Sequence, residues 1–227
     1  MRLSLNEIEV TARKAALGSG FPLGLAEDAG AVAAWLAASG FPVAEVMVAA
    51  LEGGGAEPRL KANGARIRFV TDRGPCSVLR LGPSLCDLVL AMSEPGRRVE
   101  TEAELDVPMI AVAQAALASI DSRQPFSIEI AGKAAALLAP SAPVLLVPPA
   151  ELAALRGERV RIRIATGTDL EEPPGAIRVE TRAAFREGVS VPAKLWERVR
   201  ALADRTLVPA TAHSHERGAG AGLIDTD

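Results

Sequence analysis

The sequence predicts an α+β protein in which an N-terminal helical unit is followed by a mixed β-sheet with packed helices. Alanine-rich segments with helical periodicity fill residues 1–55, alternation of apolar and polar residues begins near residue 65, and strand-like and helix-like segments follow each other over 126–164. The chain has 227 residues, of which 49% are hydrophobic and 23% charged. These values suit a globular protein with a sizeable core and exclude the disordered and fibrous classes.

A capping box and a short repeat define the helical unit. Ser4 and Glu7 have the spacing of a box in which each side chain bonds the other residue's free N–H, which predicts a helix over 4–17 ended by Gly18. The four residues Ser-Gly-Phe-Pro occur at 19–22 and again at 39–42, before predicted helices over 24–38 and 43–52. Glycine ends one helix and proline starts the next, so we predict that both phenylalanines are buried corner residues.

Beyond the helical unit the elements are shorter. Strands over 66–70 and 77–81 are predicted to form a hairpin, the apolar segment 84–92 slightly favours a helix, and Asp106 is predicted to be the N-cap of a helix to about residue 120. The later predictions are strands over 126–130, 144–147 and 159–164 and helices over 133–139, 149–155 and 190–205.

These elements suggest three parts in one compact domain. The helical unit covers 1–55, the mixed α/β body covers 65–210, and a glycine-rich C-terminal tail covers 211–227.

Composition excludes several classes of partner. The net charge is −3, the pI is about 5.6 and aromatic residues make up 3%, so neither nucleic acid nor an anionic membrane is an expected partner. Glu7 and Glu9 interrupt any secretory apolar region, and no apolar run reaches the length of a transmembrane helix. We therefore expect a cytoplasmic protein. The 43 alanines and the excess of arginine over lysine are typical of GC-rich bacterial genomes.

The familiar catalytic and cofactor motifs are absent from the sequence. It contains no G-x-S-x-G, no phosphate-binding P-loop, no H-E-x-x-H and no dinucleotide G-x-G-x-x-G. We therefore assign no catalytic residue and expect no cofactor.

The first candidate site is a strand face made of arginines. Arg159, Arg161 and Arg163 alternate with apolar residues, and together with Arg66 and Arg68 they would line a site for a carboxylate or phosphate. The alternative is a solvated antiparallel or edge strand, where charge also prevents edge pairing.

The second candidate site lies in the tail. Arg217 would clamp an anion that the N–H groups near Gly218, Gly220 and Gly222 cradle. Leu223 and Ile224 would dock the tail onto the arginine strand or the N-terminal helices. The alternative is a flexible C-terminus.

The cysteines and histidines offer two weaker candidate sites, a catalytic pair and a zinc site. Cys76 and Cys86 are predicted to be buried structural thiols without a disulfide, although Cys76 with a tail histidine would make a catalytic pair. His213 and His215 would be two zinc ligands, but the sequence offers no further two nearby, so we expect no metal site.

Both ends of the chain resemble a known bacterial family. The segment Glu7-Ile8-Glu9 with Ala12-Arg13-Lys14, the segment 20–30 (GFPLGLAEDAG) and the ending 217–227 (RGAGAGLIDTD) are similar to the family named domain of unknown function 3726. The resemblance implies a stand-alone bacterial protein and brings no reaction with it.

Two classes of function therefore stay open. One is a protein that binds an anionic small metabolite, or acts as an accessory subunit, with a homo-oligomer or protein partner also possible. The other is an enzyme of small-molecule metabolism, of hydrolase or lyase type, that uses Asp or Glu with Arg. Only two histidines are present, which favours the first class slightly.

Overall fold

The computed structural model describes residues 1–56, 58–94, 98–170 and 172–207, except the side chains of Thr168 and Arg182. The helices of this part are α1 (Leu5–Gly18), α2 (Leu23–Ala38), α3 (Val43–Glu52), α4 (Val78–Met92), α5 (Pro108–Ser122), α6 (Pro149–Ala154), α7 (Arg182–Glu187) and α8 (Ala193–Asp204). The strands are β1 (Arg2–Leu3), β2 (Arg59–Asn63), β3 (Arg66–Val70), β4 (Glu100–Leu105), β5 (Phe126–Ile130), β6 (Lys133–Leu138), β7 (Val144–Leu145), β8 (Glu158–Ile164), β9 (Ile177–Arg178) and β10 (Val189–Ser190). A 3-10 turn spans Gly167–Leu170.

The predicted α+β class is confirmed. Eight strands form a mixed sheet in the order β2-β3-β4-β8-β5-β6-β7-β9, in which β3 and β4 run parallel and the other described pairs are antiparallel. A separate pair joins β1 to β10, so the start of the chain is tied to the approach to α8.

Among the described residues, helices cover one face of the sheet and the other face is open. Helices α4 and α5 pack on the central strands, and α1, α2, α3 and α8 form a further layer over them. On β8 the alternate residues Val160 and Ile162 are fully buried towards the core, whereas the arginines between them point to the open face. The sheet therefore presents a polar surface opposite its helices.

The predicted capping box is confirmed. The Ser4 hydroxyl accepts from the Glu7 N–H at 3.2 Å, and the Glu7 carboxylate accepts from the Ser4 N–H at 2.8 Å. Helix α1 extends to Gly18, so the left-handed residue that ends it is Gly20, with φ 84°, and not Gly18 as predicted.

The repeated corner also folds as predicted. Gly20 and Gly40 adopt φ 84° and 77°, values that favour glycine, and a proline follows each phenylalanine as the N-cap of the next helix. Phe21 and Phe41 are buried, and Phe41 stacks on Trp35 with ring centroids 5.8 Å apart.

The predicted hairpin over 66–81 is wrong in its second strand. Residues 77–81 enter α4, which also contains the ambiguous segment 84–92. The hairpin partner of β3 is β2, which precedes it in the chain, and the two-residue loop between them is Gly64-Ala65, with φ 61° at the glycine. A glycine at the first position of a two-residue loop is a hairpin signal.

The predicted helix over 133–139 is a strand. Residues 133–138 form β6, which pairs with β5 and with β7. Ala131 and Gly132 turn the chain with φ 52° and 78°, so β6 folds back on β5 at once. Sheet pairing on both sides outweighs the helix preference of its alanines.

The role predicted for Asp106 is also wrong. The N-cap of α5 is Val107, whose side chain makes no cap bond. The buried Asp106 carboxylate instead accepts the Val78 N–H at the start of α4, at 2.9 Å, and the Val107 N–H, at 2.8 Å. Burial raises the pKa of Asp106, and these backbone hydrogen bonds oppose the rise. One side chain therefore fixes α4 to the junction between β4 and α5.

The remaining predicted elements are confirmed as β5, β7, α6, β8, α8 and the body of α5. Both cysteines are buried free thiols, and burial raises the pKa of Cys86 to about 12. Within the described ranges, none of the helices is both long enough and apolar enough to cross a bilayer.

We expect Asp106→Ala to lower the free energy of unfolding by about 1–2 kcal/mol, because two buried N–H groups lose their acceptor. Asp106→Asn keeps one side-chain oxygen and should retain most of the stability. Urea unfolding of both variants measures the difference, and equal losses would contradict the proposed bond to α4.

Candidate functional site

Charged side chains from three neighbouring strands alternate in sign across the open face of the sheet. The central strand β4 contributes Glu100, Glu102 and Glu104, and the strands on either side of it contribute arginines. Arg66 and Arg163 flank Glu100 in register, and the next row places Arg68 and Arg161 beside Glu102. Opposite charges in directly facing positions stabilise the pairing of these strands.

Glu102 is the centre of this network. Its side chain is only 2% exposed, and its carboxylate contacts Arg68 at 2.9 Å and Arg161 at 3.1 Å, with Arg159 at 3.7 Å. Burial works to raise the pKa of Glu102, but the Arg161 hydrogen bond and the three positive charges outweigh it, so the pKa is lowered. Glu102 therefore stays ionised at neutral pH.

The neighbouring arginines are also held by carboxylates. Arg161 reaches Glu129 of β5 at 2.8 Å, and Arg66 pairs with Glu100. Arg163 binds Asp169 through both guanidinium nitrogens, one of them at 2.9 Å. The hydrogen bond from Arg163 is the largest cause that lowers the pKa of Asp169 to about 2.

One end of the open face carries a surplus of positive charge. A cleft of about 500 Å³ lies between the β2–β3 hairpin, the start of β4 and the end of β8. Its charged lining residues are Lys61, Arg66, Arg68, Arg98, Glu100 and Arg163. We call this space the cationic cleft, since five basic side chains there face one carboxylate.

The other end of the face has the opposite character. A cleft of about 400 Å³ beside the end of β5 is lined by Arg159 and Arg161 together with three carboxylates, Glu104, Glu129 and Glu158. An anion would meet repulsion there. The open face therefore has a positive end at the cationic cleft and a more acidic end near the β5–β6 turn.

The sequence placed the arginines of β8 on one face, and the structure has them there with Arg66 and Arg68. It does not bring them together as a free cluster, because the carboxylates of β4 and β5 separate them. Of the alternative, the edge position is wrong, since β8 lies between β4 and β5, whereas the antiparallel pairing is present on both sides of β8. Arg217, Gly218, Gly220 and Gly222 lie outside the described residues, as do the two histidines.

Sequence reasoning missed the acidic strand and two basic residues of the cleft. Residues 100–105 alternate Glu-Thr-Glu-Ala-Glu-Leu, a period of two that would have predicted β4 and its charged face. Lys61 lies on β2, which the sequence analysis left unassigned, and Arg98 precedes β4. Within the described part of the chain, no three histidine, cysteine or carboxylate side chains converge as metal ligands.

Comparison with known families confirms the resemblance at the N-terminus. Residues 3–87 match the family model described as "Protein of unknown function (DUF3726)". We call residues 3–87 the DUF3726 segment. The DUF3726 segment runs from β1 into α4 and includes the repeated corner and the β2–β3 hairpin. The similar ending at 217–227 lies outside this match, and no curated protein matches the chain by sequence.

Solved structures share the fold of the chain at low sequence identity. Malate dehydrogenase from Entamoeba histolytica is 10% identical with a TM-score of 0.55, and the alignment covers 92% of this chain and 99% of the other. A dehydrogenase from Sinorhizobium meliloti is 12% identical with a TM-score of 0.54, covering 89% and 99%. Sulfolactate dehydrogenase from Methanocaldococcus jannaschii is 11% identical with a TM-score of 0.53, covering 90% and 97%.

We expect Glu102→Gln to lower the free energy of unfolding by about 1–3 kcal/mol, because a buried carboxylate that neutralises several arginines is removed. The partly exposed arginines regain water, which limits the loss. The matched control is Glu104→Gln, on the same strand and face but exposed, which should change stability by less than about 0.5 kcal/mol. Equal effects in urea unfolding would contradict a central role for Glu102.

The Arg163–Asp169 pair predicts a stability change in acid. The pKa of Asp169 is lowered in the folded protein, so its stabilising contribution is complete above the ordinary value of 3.8 and is lost as the pH falls through about 2. Wild type should therefore exceed Asp169→Asn in stability at about pH 5, and the gap should close towards about pH 2. Asp72→Asn, which removes an exposed pair with Arg59, is the control and should show a smaller gap.

Proposed function

We propose that this protein binds a small dianionic metabolite in the cationic cleft. The observation that carries the proposal is the charge of the lining, five basic side chains and one carboxylate around a space of about 500 Å³. A dianion of a few carbon atoms fits this volume and matches the charge of two of the basic side chains.

Two of the basic residues are the proposed primary contacts. Within the described part of the chain, Lys61 and Arg98 have no carboxylate within ion-pair distance, whereas Arg66, Arg68 and Arg163 each have one. An anion would supply the missing charge to Lys61 and Arg98, and the guanidinium of Arg98 offers two parallel donors to one carboxylate. The paired arginines would add to the positive electrostatic potential around the ligand.

The structural comparisons support the same ligand chemistry. Two of the proteins with this fold are named for malate and sulfolactate, which are small dianions at neutral pH. A shared fold does not transfer a substrate, so the support for this chain comes from the lining of its own cleft.

An oxidoreductase is the second candidate. It adds to the hydrolase or lyase type predicted from the sequence, and its support is that the similar solved structures are named dehydrogenases. In that case the cationic cleft would hold the acid groups of the substrate. The sheet of this chain contains one parallel pair among its described strands, so a nicotinamide cofactor would not meet the parallel, doubly wound sheet that usually binds it.

The site proposed here is complete without the tail. Anion binding by Arg217, Gly218, Gly220 and Gly222 remains a separate proposal, as do an accessory role and association with a protein partner or a second copy. A cytoplasmic location belongs to the same proposal, because small dianionic metabolites are abundant there.

The test is a binding titration with malate and succinate as dianions, acetate as a monoanion and inorganic phosphate. A dianion at one hundred times its Kd should raise the stability of the wild type by about 2.7 kcal/mol, read as a shift in Tm. We expect Lys61→Gln combined with Arg98→Gln to weaken binding about tenfold or more.

The matched control is Lys194→Gln with Arg200→Gln, which removes the same charge from exposed positions of α8. It should bind as the wild type does. Equal loss in both double variants would show a non-specific effect of net charge, and unchanged binding after loss of Lys61 and Arg98 would overturn the site. Reduction of NAD⁺ or NADP⁺ in the presence of a bound hydroxy acid would establish the second candidate.

A further inference from the structure

An apolar groove lies on the helical side of the molecule, away from the cationic cleft. Helices α1, α2 and α5 form its floor, and the segments around 139–143 and 179–185 form its far wall, enclosing about 470 Å³. The side chains that define it are Leu5, Trp35, Leu117, Ile120, Val179 and Phe185. We call this space the apolar groove.

The rim of the groove exposes large apolar side chains. Phe185 of α7 is 73% exposed and Ile120 near the end of α5 is 49% exposed. Contiguous apolar surface of this kind marks a place where another chain segment or molecule binds.

We propose that the chain's own C-terminal segment, Leu223-Ile224, binds in the apolar groove. The described structure ends at Leu207, and twenty residues follow it in the sequence. Among the last ten of these residues, Leu223 and Ile224 are the only large apolar side chains, and they come directly after Gly218–Gly222. The small side chains of residues 218–222, which alternate glycine and alanine, would allow the tail to approach the helices closely.

The length of the connecting chain matches the distance it must cover. Helix α8 runs parallel to α1, since the Val191 N–H bonds Met1 at the start of α1 and the Leu202 carbonyl approaches Gly18 at its end. Leu207 therefore leaves the body near the end of α1, about 21 Å from the Leu5 end of the groove by the helical rise. Leu223 lies sixteen residues beyond Leu207, and a random-coil chain of that length has a root-mean-square span of about 20–24 Å, close to the optimum for an intramolecular contact.

Glu9 is the one charged residue that lines the groove, so the acidic end of the tail must lie outside it, beside basic residues. Asp225 and Asp227 follow the apolar pair, and Arg123 and Arg186 lie beside the rim, next in the chain to the end of α5 and to Phe185. Both arginines are exposed, and neither pairs with a carboxylate among the described residues. The acidic end of the tail would meet them as the apolar pair enters the groove.

The test uses the full chain with a bimane label on Thr226→Cys. Both native thiols are buried, so the engineered cysteine takes the label. Trp35 lines the floor of the groove, whereas the second tryptophan, Trp196, is in the core. Tryptophan quenches bimane on contact, so we expect loss of most of the label's emission, with the same fraction lost at every protein concentration.

Two matched variants decide the origin of the quenching. Leu223→Ser with Ile224→Ser should restore the emission, and Ala219→Ser with Ala221→Ser should leave it quenched, while thermal unfolding shows both to be as stable as their parent. A label on Ala210→Cys, before the glycines, should stay bright. A bright label on Thr226→Cys, or quenching that survives loss of the apolar pair, would overturn the proposal. Quenching that disappears on dilution together with a dimer in sedimentation would overturn it too, because the occupant would then be a second copy.

Discussion

The buried carboxylate of Glu102 is the contact on which the open face of the sheet depends. Three strands carry charged residues on one face, and arginines from two of them would repel each other across β4 if that strand were neutral. Glu102 meets arginines from both sides at once, which fixes the register of β3, β4 and β8. On the opposite side of the same strand, Thr101 donates to the Leu85 carbonyl of α4. Strand β4 therefore joins the charged face to the helical layer.

The distribution of carboxylates along β4 and β5 also decides where an anion would bind. Glu102 and Glu129 occupy Arg161, and Asp169 occupies Arg163, so most of the arginine charge is satisfied within the protein. At the edge near β2 the basic residues outnumber the acidic ones, and the cationic cleft results. The carboxylates of the protein therefore determine which basic side chains remain available to an anion.

The two proposals concern opposite sides of the molecule and fail independently. The cationic cleft lies among strands, and its proposed ligand would be recognised by charge. The apolar groove lies mainly among helices, and its proposed occupant would be recognised by shape and apolar contact. The DUF3726 segment contributes to both, through the β2–β3 hairpin on one side and α1 and α2 on the other.

The sequence by itself determined the elements whose signals are local: the capping box of Ser4 and Glu7, the two glycine corners, and the alternation of β8. It also determined that the arginines of β8 share a face, because the period of a strand is two. Only the tertiary structure decided that residues 133–138 are a strand, since their alanines suit a helix until β5 and β7 pair with them. It alone decided that Asp106 caps α4, and that Lys61 and Arg98 meet in one cleft. Both depend on contacts between residues that are distant in the sequence, which no local pattern encodes.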